Sequence, residues 1–460
     1  MVSSELACGN ITKTILKLAI PQMLAQFINV LYSIIDRVYI SNLAVDGDIA
    51  LTAIGVCAPV CTMIASFSSL LGQGGGPLME MKVGQKDIKG AEKILANAFL
   101  MLVIAGILIP LIMLIFHKNL LNLFGASANT YNYARDYMLF YLIGAPFQIA
   151  ALGLNYYLTS QGYSNKAMFT MLLGALINIA LDPLFIFGFN LGVKGAAIAT
   201  SIAQIASFIY VVIVLRLKST EVKLTIGGYN LKDMKKIVFS GVSPFIILMT
   251  DSLVLVFLNM SLKMNMEGSL ADKYILAATI ITSFYQLFSM PLLGISGGTG
   301  SILSYNFGAK NSLRVKKSEK VITIFALIFT TFSVILSCFV SRPFFNYMTT
   351  DEFVLDLCSK MVWCYMGPFI ILSFQYAFVD GLTALGKANI GIYLSLNRKI
   401  TNILLILILP RFVGGEGVFY AESVADVWSS LTTLVVFLLI INKILRKNEI
   451  KDNNINLSQV

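Results

Sequence analysis

The chain is predicted to be an all-α integral membrane protein, with twelve transmembrane helices in two six-helix bundles related by a pseudo-two-fold axis along the membrane normal. Three observations predict this fold: an apolar composition, a series of long apolar segments and an internal repeat. Of the 460 residues, 57% are hydrophobic and only 13% are charged, whereas soluble proteins carry about 25% charged residues. An ordinary soluble protein is therefore excluded.

Long apolar segments separated by polar breaks give the twelve predicted spans, since a helix needs about 20 apolar residues to cross a bilayer. Residues 1–13 are mixed polar and the first apolar run is too long for a signal peptide, so no cleavable signal is expected. The spans are placed at 14–40, 49–72, 94–116, 132–157, 166–188, 194–215, 237–262, 274–299, 321–340, 354–382, 389–410 and 418–442.

The basic residues predict the orientation of these spans. If both termini are cytoplasmic, 23 of the 34 Lys and Arg residues lie on the inside and eight on the outside. Cytoplasmic loops of membrane proteins carry such an excess. The sequence thus predicts a multi-pass protein of the cytoplasmic (inner) membrane with both termini inside. The net charge of +10 is assigned to these loops, so no nucleic-acid partner is expected.

An internal repeat appears when the chain is shifted by 224 residues. Matched pairs include Gly84 with Gly308, Lys86 with Lys310, and Asn178 with Asn402. Six spans separate the copies, so both enter the membrane from the same side, as in parallel-repeat transporters that bind substrate between their halves. We expect an N-terminal lobe (1–215), a cytoplasmic linker (216–236), a C-terminal lobe (237–445) and a cytoplasmic tail (446–460).

Span 1 carries a polar stripe on one helical face, because its polar residues recur at steps of three and four. Unpaired polar groups in hydrocarbon cost several kcal/mol each, so this face is expected to line a cavity or a neighbouring helix. An ionisable residue at membrane depth is a candidate functional group. The stripe consists of Gln22, Gln26, Asn29, Ser33 and Asp36.

The residue inventory argues against an enzyme. The only histidine is His117, in a loop, and the six cysteines form no CxxC pattern. A histidine-based metal site or catalytic base is therefore close to excluded. No cofactor and no metal other than a coupling Na⁺ are expected.

Several motifs resemble those of the MATE family of multidrug and toxic-compound exporters, in its bacterial and archaeal branches. They are the Gly-Gly-rich end of span 2, the loop Gly84–Asp87, the segment Asn178-Ile-Ala-Leu-Asp182-Pro183 of span 5, and Gly192–Thr200 at the start of span 6. The resemblance covers the whole chain. It implies a cation or proton site in the N-terminal half, at the positions Asp36, Asn178, Asp182 and Thr200, with Tyr137 nearby.

Depth along the spans independently supports this cluster, because Asp36, Asp182, Thr200 and Tyr137 fall in the outer half of the membrane when each residue rises 1.5 Å. Carboxylate, amide and hydroxyl oxygens suit Na⁺. Two close carboxylates would equally hold a proton. The alternative is a hydrogen-bonded network that only joins helices.

The C-terminal half lacks the two acids of the N-terminal half, because the repeat aligns Asp36 with Asn259 and Asp182 with Ile406. Span 11 instead carries Arg398 and Lys399, which need partners or water at that depth. Asp251 or Asp380 is the expected counter-charge; the other interpretation is an anion-attracting patch. The candidate substrate path comprises Gln22, Gln26, Asn29, Ser33, Gln148, Asn259, Gln286, Arg398 and Lys399.

Together these features predict a monomeric secondary antiporter that exports organic, cationic and amphipathic compounds in exchange for H⁺ or Na⁺. Its partners would be small organic substrates and the lipid bilayer. The alternative is a lipid-linked precursor flippase or an organic-anion exporter of a related superfamily, which Arg398 and Lys399 support. A membrane transferase is disfavoured by the residue inventory, and a channel by the two-fold repeat without a pore-loop signature.

Overall fold

The computed structural model describes residues 9–43, 46–84, 86–161, 163–216, 220–266 and 268–457. These ranges form helices joined by short connections and contain no strand. The helices are α1 (Ile11–Ser41), α2 (Gly47–Gly84), α3 (Ile88–Ile115), α4 (His117–Leu123), α5 (Tyr131–Ser160), α6 (Ser164–Pro183), α7 (Val193–Arg216), α8 (Leu231–Asn265), α9 (Ser269–Gly308), α10 (Ser312–Met348), α11 (Glu352–Met366), α12 (Phe369–Ala384), α13 (Ala388–Ile408), α14 (Pro410–Val413) and α15 (Gly417–Leu457), and a π-helical turn (Leu184–Gly188) follows α6.

Eleven helices in the described ranges are long and apolar enough to cross a membrane, and counting the bent pair α11–α12 as one span gives twelve. The two helices of this pair are bent by 42° at their break. The break holds Gly367 and Pro368, and proline lacks the N–H that would continue the helix. The prediction of an all-α membrane protein with twelve spans is confirmed. The pseudo-two-fold axis stays a prediction.

Several helices extend past the predicted spans. Span 8 was placed at 274–299, whereas α9 continues to Gly308; span 9 was placed at 321–340, whereas α10 begins at Ser312. An apolar window detects only the part of a helix that faces hydrocarbon. The backbone hydrogen bonds continue beyond it, because polar residues in water are also compatible with a helix.

The internal repeat has a structural counterpart in two loops. Lys86 and Lys310, which the repeat aligns, both have a positive φ, of 61° and 60°. The residue after each lysine then caps the next helix: Asp87 Oδ1 accepts from Gly90 N at 2.9 Å, and Asn311 Oδ1 from Arg314 N at 3.0 Å. In the first loop, a hydrogen bond from Lys82 lowers the pKa of Asp87.

The chain divides into two compact units, which do not coincide with the predicted lobes. One unit contains Met1–Leu31, Ile280–Asn346 and Leu355–Val460, and the other contains Tyr32–Thr279 and Tyr347–Val354. Helix α8, predicted to open the C-terminal lobe, therefore belongs with the first-half helices. The lobes inferred from the repeat stay a prediction; residues 217–219 of the linker and 458–460 of the tail lie outside the described residues.

The close packing of α8 against α2 explains why α8 belongs to the same compact unit as the first-half helices. A Cβ atom at Gly74 would lie 2.2 Å from the carbonyl oxygen of Ile237, and one at Gly241 would lie 1.8 Å from that of Leu70. Only glycine permits such an approach of two helix backbones. Farther along the same pair of helices, Ser252 Oγ donates to the carbonyl of Pro59 at 2.9 Å. These contacts hold α8 in the unit of α2.

The other unit has its own apolar core on the side where α9 and α12 end. Leu303 of α9, Phe378 of α12 and Phe437 of α15 are all buried in it. The rings of Phe378 and Phe437 stack in parallel with their centroids 4.0 Å apart. Stacked aromatic rings contribute beyond the area that they bury, so this contact fixes α12 against α15.

Candidate ion-binding site

A pair of carboxyl groups from two helices forms the centre of the candidate site. Asp36 is carried by α1 and Asp182 by the last turn of α6. Asp182 is fully buried. The two carboxyl groups lie within hydrogen-bonding reach of each other, so the structure brings together the two acids that the sequence singled out. We refer to Asp36, Asn178, Asp182 and Thr200 as the first-half carboxyl site.

Asn178 links this pair to α7. It lies one turn before Asp182 on α6, so their side chains share one face. Its Nδ2 group donates to Asp182 Oδ1 at 3.0 Å and to Thr200 Oγ1 at 3.3 Å. Both amide hydrogens are thereby used, and the amide oxygen is left as an acceptor. Four of the five predicted ion-site residues therefore meet in one cluster.

Two carboxylate oxygens of the cluster lack a donor. Oδ1 of Asp36 and Oδ2 of Asp182 are buried and accept no hydrogen bond from any residue that the structure describes. A buried unpaired oxygen costs about 1–3 kcal/mol, and more when it is charged. A proton shared between the carboxyl groups, or a cation bound by them, would remove this cost.

Tyr137, the fifth predicted residue, lies beside the pair. It is buried on α5 and stacks on Tyr141 with ring centroids 5.8 Å apart. Tyr141 in turn donates to Gln148 Oε1 at 2.7 Å. Tyr137 is within electrostatic range of Asp36. Tyr137 is therefore near the carboxyl pair and belongs to a stacked aromatic pair on α5.

The sequence reading missed Arg37 as a neighbour of this site. Arg37 interacts electrostatically with both Asp36 and Tyr137. Arg37 is one of the three basic residues that lie within the predicted spans and not in the loops. Its position next to Asp36 and inside a membrane span was the available signal, because a buried cation needs a counter-charge.

The predicted substrate-path residues differ in how far they are exposed. Gln22 is exposed, whereas Gln26, Ser33, Gln148 and Gln286 are half-buried, and the side chain of Asn29 lies outside the described part of the structure. Asn259, the repeat partner of Asp36, is buried, and its Nδ2 donates to the carbonyl of Gly55 at 3.4 Å. It therefore joins α8 to α2.

In the other unit, Arg398 lies in a second buried polar cluster, which we call the Arg398 network. Its Nε donates to Asp426 Oδ1 at 2.5 Å and its Nη2 to Glu422 Oε1 at 3.1 Å. The remaining oxygen of Glu422, Oε2, accepts from the amide of Asn402. Arg398 is only 8% exposed, so two ion pairs and the surrounding helices enclose it.

This arrangement corrects the expected counter-charges. Asp380 was proposed as a partner of the Arg398–Lys399 pair, but its carboxylate accepts from Ser296 Oγ at 2.5 Å. Asp251 as a counter-charge of Lys399 stays a prediction. The carboxylates that pair with Arg398 are Glu422 and Asp426 of span 12. Their spacing of four residues inside an apolar span was the signal that could have identified them. Lys399 is half-buried beside Arg398.

Fold and site together define a multi-pass α-helical membrane protein with buried carboxyl groups in the membrane. The MatE family model matches residues 21–184 and 248–408, and the chain belongs to this family. It is 24% identical, over 94% of both chains, to a protein of Staphylococcus haemolyticus (strain JCSC1435) named "Multidrug export protein MepA".

Two solved structures share the fold. An inward-facing multidrug resistance MATE family transporter of the MOP superfamily has a TM-score of 0.82 at 20% identity, over 91% of this chain and 96% of that one. A MOP superfamily transporter from Pyrococcus furiosus has a TM-score of 0.78 at 22% identity, over 96% and 98% of the two chains; its description reports a binding pocket of reverse polarity that suggests a different function.

Proposed function

We propose that the chain is a secondary active antiporter of a bacterial cytoplasmic membrane that exports organic compounds in exchange for H⁺ or Na⁺. The observation that carries this proposal is the first-half carboxyl site, in which Asp36 and Asp182 lie within hydrogen-bonding reach inside the membrane. The name of the Staphylococcus haemolyticus relative, a multidrug export protein, supports organic substrates. The working unit is a monomer with both termini in the cytoplasm.

Coupling follows from the chemistry of the carboxyl pair. Two carboxylates at this distance resist double ionisation, because like charges repel strongly where water is scarce. One bound proton or one Na⁺ relieves the repulsion and satisfies the unpartnered oxygens. Transport requires that this cation bind more tightly in one access state than in the other. An ion gradient can therefore shift the protein between its two access states through cation binding at this site.

Helix α1 is the element through which the cation would act. It carries Asp36 near its end and Pro21 in its interior. A proline inside a helix frees a backbone carbonyl and allows the helix to bend. We infer that cation binding at Asp36 changes the shape of α1, and that this change displaces substrate bound near the polar stripe.

The ion pairs of Arg398 argue against an anion-attracting patch at this residue. A single guanidinium there faces the two carboxylates of Glu422 and Asp426, so it is neutralised rather than available to an anion. The anion exporter or flippase remains the second candidate because the Pyrococcus furiosus structure shows that this fold is compatible with a pocket of reverse polarity. Lys399 is the residue through which such a preference would act.

The test is dye efflux in inverted membrane vesicles that contain the full chain. A cationic dye and an anionic dye are each measured with an imposed pH gradient, an imposed Na⁺ gradient or no gradient. We expect export of the cationic dye under one of the two gradients, and loss of that export in Asp36→Asn. Asp356→Asn is the matched control, because Asp356 is largely exposed in its ion pair with Arg342. Gradient-independent dye movement, or export of the anion alone, would contradict the proposal.

A further inference from the structure

A third set of carboxyl groups, of which Glu319 is buried and Asp380 half-buried, involves none of the residues of the two clusters described above. Glu319 of α10 is only 6% exposed, and it interacts electrostatically with Asp380 of α12. The Asp380 carboxylate accepts from Ser296 Oγ of α9 at 2.5 Å. Three helices of one compact unit therefore contribute to this position.

The Glu319 carboxylate is pressed against the backbone of α12. A Cβ atom added at Gly381 would lie 2.7 Å from Glu319 Oε1 and 2.8 Å from Oε2. Glycine at this position leaves the space that the carboxylate occupies. Because Gly381 follows Asp380 directly, the carboxyl group of Glu319 is aimed at the segment that carries the second acid.

Glu319 is not neutralised by its surroundings. Its Oε1 is buried and accepts no hydrogen bond from the described residues. The ionisable groups around it are Asp380 from α12, and Lys316 and Lys320 from its own helix; neither lysine forms an ion pair with it in the described structure. An ionised glutamate without a partner is costly at this depth, so this position calls for a cation.

A cavity of about 400 Å³ gives access to Glu319. It is lined by Glu319, Phe378 and Phe437, and by the exposed side chains of Lys316 and Lys320. The lysines lie in the first turns of α10, on the side that the charge distribution predicts to be cytoplasmic. The rest of the lining is mostly apolar, and since one water takes up about 30 Å³ of liquid, the volume is large enough for several waters beside the carboxylate.

We propose that Glu319 and Asp380, supported by Ser296, form a second site for a monovalent cation, H⁺ or Na⁺, which is filled from the cytoplasmic side. This site extends the proposed function but does not depend on it, because cation binding can be measured without transport. It differs from the first-half carboxyl site in its helices and in its predicted side of the membrane. It differs from the Arg398 network in having no built-in cation.

The test uses a hydrophobic carbodiimide, dicyclohexylcarbodiimide, which reacts with protonated carboxyl groups in apolar surroundings. The purified full chain is labelled over a range of pH, with Na⁺ or with choline at equal ionic strength, and the labelled residue is identified by peptide mass spectrometry. We expect labelling of Glu319 that falls as pH rises. If Na⁺ is the ligand, Na⁺ will also protect Glu319 at fixed pH while choline will not.

Variants test whether Glu319 and Asp380 share one cation or whether Glu319 binds a proton without Asp380. Asp380→Asn removes the neighbouring charge, so the pH dependence of Glu319 labelling should move to lower pH, with a rate change of about tenfold at fixed pH if the interaction equals one pH unit. Gly381→Ala should displace the carboxylate and weaken Na⁺ protection. The exposed outer control Glu352→Gln should leave Glu319 labelling unchanged.

Two results would overturn the proposal. One is labelling of Glu319 that responds to neither pH nor Na⁺. The other is labelling that Asp380→Asn leaves unaltered, since the two acids would then not share a cation. Because the readout is chemical modification, it stands even if the vesicle assay shows no efflux, and failure of the transport proposal would be recognised separately.

Discussion

The first-half carboxyl site and the Arg398 network are built around asparagines at equivalent positions of the repeat. Asn178 donates to Asp182 at 3.0 Å, and Asn402 donates to Glu422. The acids differ in origin: Asp36 and Asp182 come from spans 1 and 5, whereas Glu422 and Asp426 both come from span 12. The two clusters therefore share an amide donor at equivalent positions, but their carboxylates come from different spans.

The balance of charge differs more than the geometry. In the Arg398 network, a guanidinium fixed to the chain pairs with both carboxylates, at 2.5 and 3.1 Å. In the first-half carboxyl site, the two acids face each other and one oxygen of each has no described donor. Arg37 interacts electrostatically with Asp36, so the first half also has a cation of its own, but the unpartnered oxygens of Asp36 and Asp182 could additionally bind one from solution. A permanent ion pair suits structure, and an exchangeable cation suits coupling.

Replacing Asp36 by Asn should have the largest effect on function. The variant removes one of the two acids, so the site no longer needs a cation, and gradient-driven efflux should fall to the level of vesicles without the protein. Folding should be retained, because Asn is isosteric and can still hydrogen-bond to Asp182. Efflux and gel filtration of the purified protein measure the two outcomes.

The double variant Asp36→Asn, Asp182→Asn sharpens this result. Residues that hold one ion act as a unit, so the double variant should be little worse than either single one. Losses that simply multiply would show that the two acids bind cations separately, and the contrast between the two clusters would then be wrong.

Replacing Arg398 by Ala should have the largest effect on stability. It leaves Glu422 and Asp426 buried without their cation, which costs about 3–5 kcal/mol in comparable buried pairs. We expect a lower unfolding temperature in detergent, partly restored when Glu422→Gln and Asp426→Asn are added. Arg411→Ala, at an exposed arginine, is the control.

The combination Arg398→Ala, Lys399→Ala tests the substrate class at the same time. If these residues are structural, the protein that survives will keep its preference for cationic dyes. A stable double variant that loses transport of anions alone would instead place the pair on a substrate path, and it would favour the anion exporter.

Matched changes at the two asparagines compare the clusters directly. Asn402→Leu removes a hydrogen bond to a charged carboxylate, worth about 1.5–3 kcal/mol, and should mainly lower the unfolding temperature. Asn178→Leu should mainly weaken gradient-driven efflux, because the amide positions Asp182. Equal losses of stability in both variants, with efflux preserved in Asn178→Leu, would indicate that the first cluster is also structural.

Thr200→Val should have the smallest effect. It removes the hydroxyl that accepts from Asn178 at 3.3 Å, a hydrogen bond worth about 0.5–1.5 kcal/mol. We expect a few-fold reduction in efflux. If Na⁺ is the coupling ion and Thr200 binds it, the Na⁺ concentration needed for half-maximal efflux should rise more than the proton dependence does.

Local periodicity explains which parts of the site could be predicted. The stripe that ends at Asp36, and the one-turn spacing of Asn178 and Asp182, depend only on helix geometry. The partners of Arg398 depend on which helices are neighbours. Both acids, Glu422 and Asp426, lie in span 12, and the sequence of span 11 does not indicate that span 12 is its neighbour. The contact of Glu319 with α12 was missed for the same reason, and also because Glu319 lies just before the predicted span 321–340, in a segment rich in lysine.

The packing of α8 against α2 has a consequence for biosynthesis. Membrane helices are inserted in the order in which the ribosome delivers them, and here a first-half helix requires a neighbour from the second half: Gly74 meets Gly241 and Ile237. The predicted repeat and the compact units of the structure therefore have different boundaries. A chain released after residue 236 would leave the glycine face of α2 uncovered and open to quality-control proteases, whereas a chain that continues through Thr279 carries the helix that covers it.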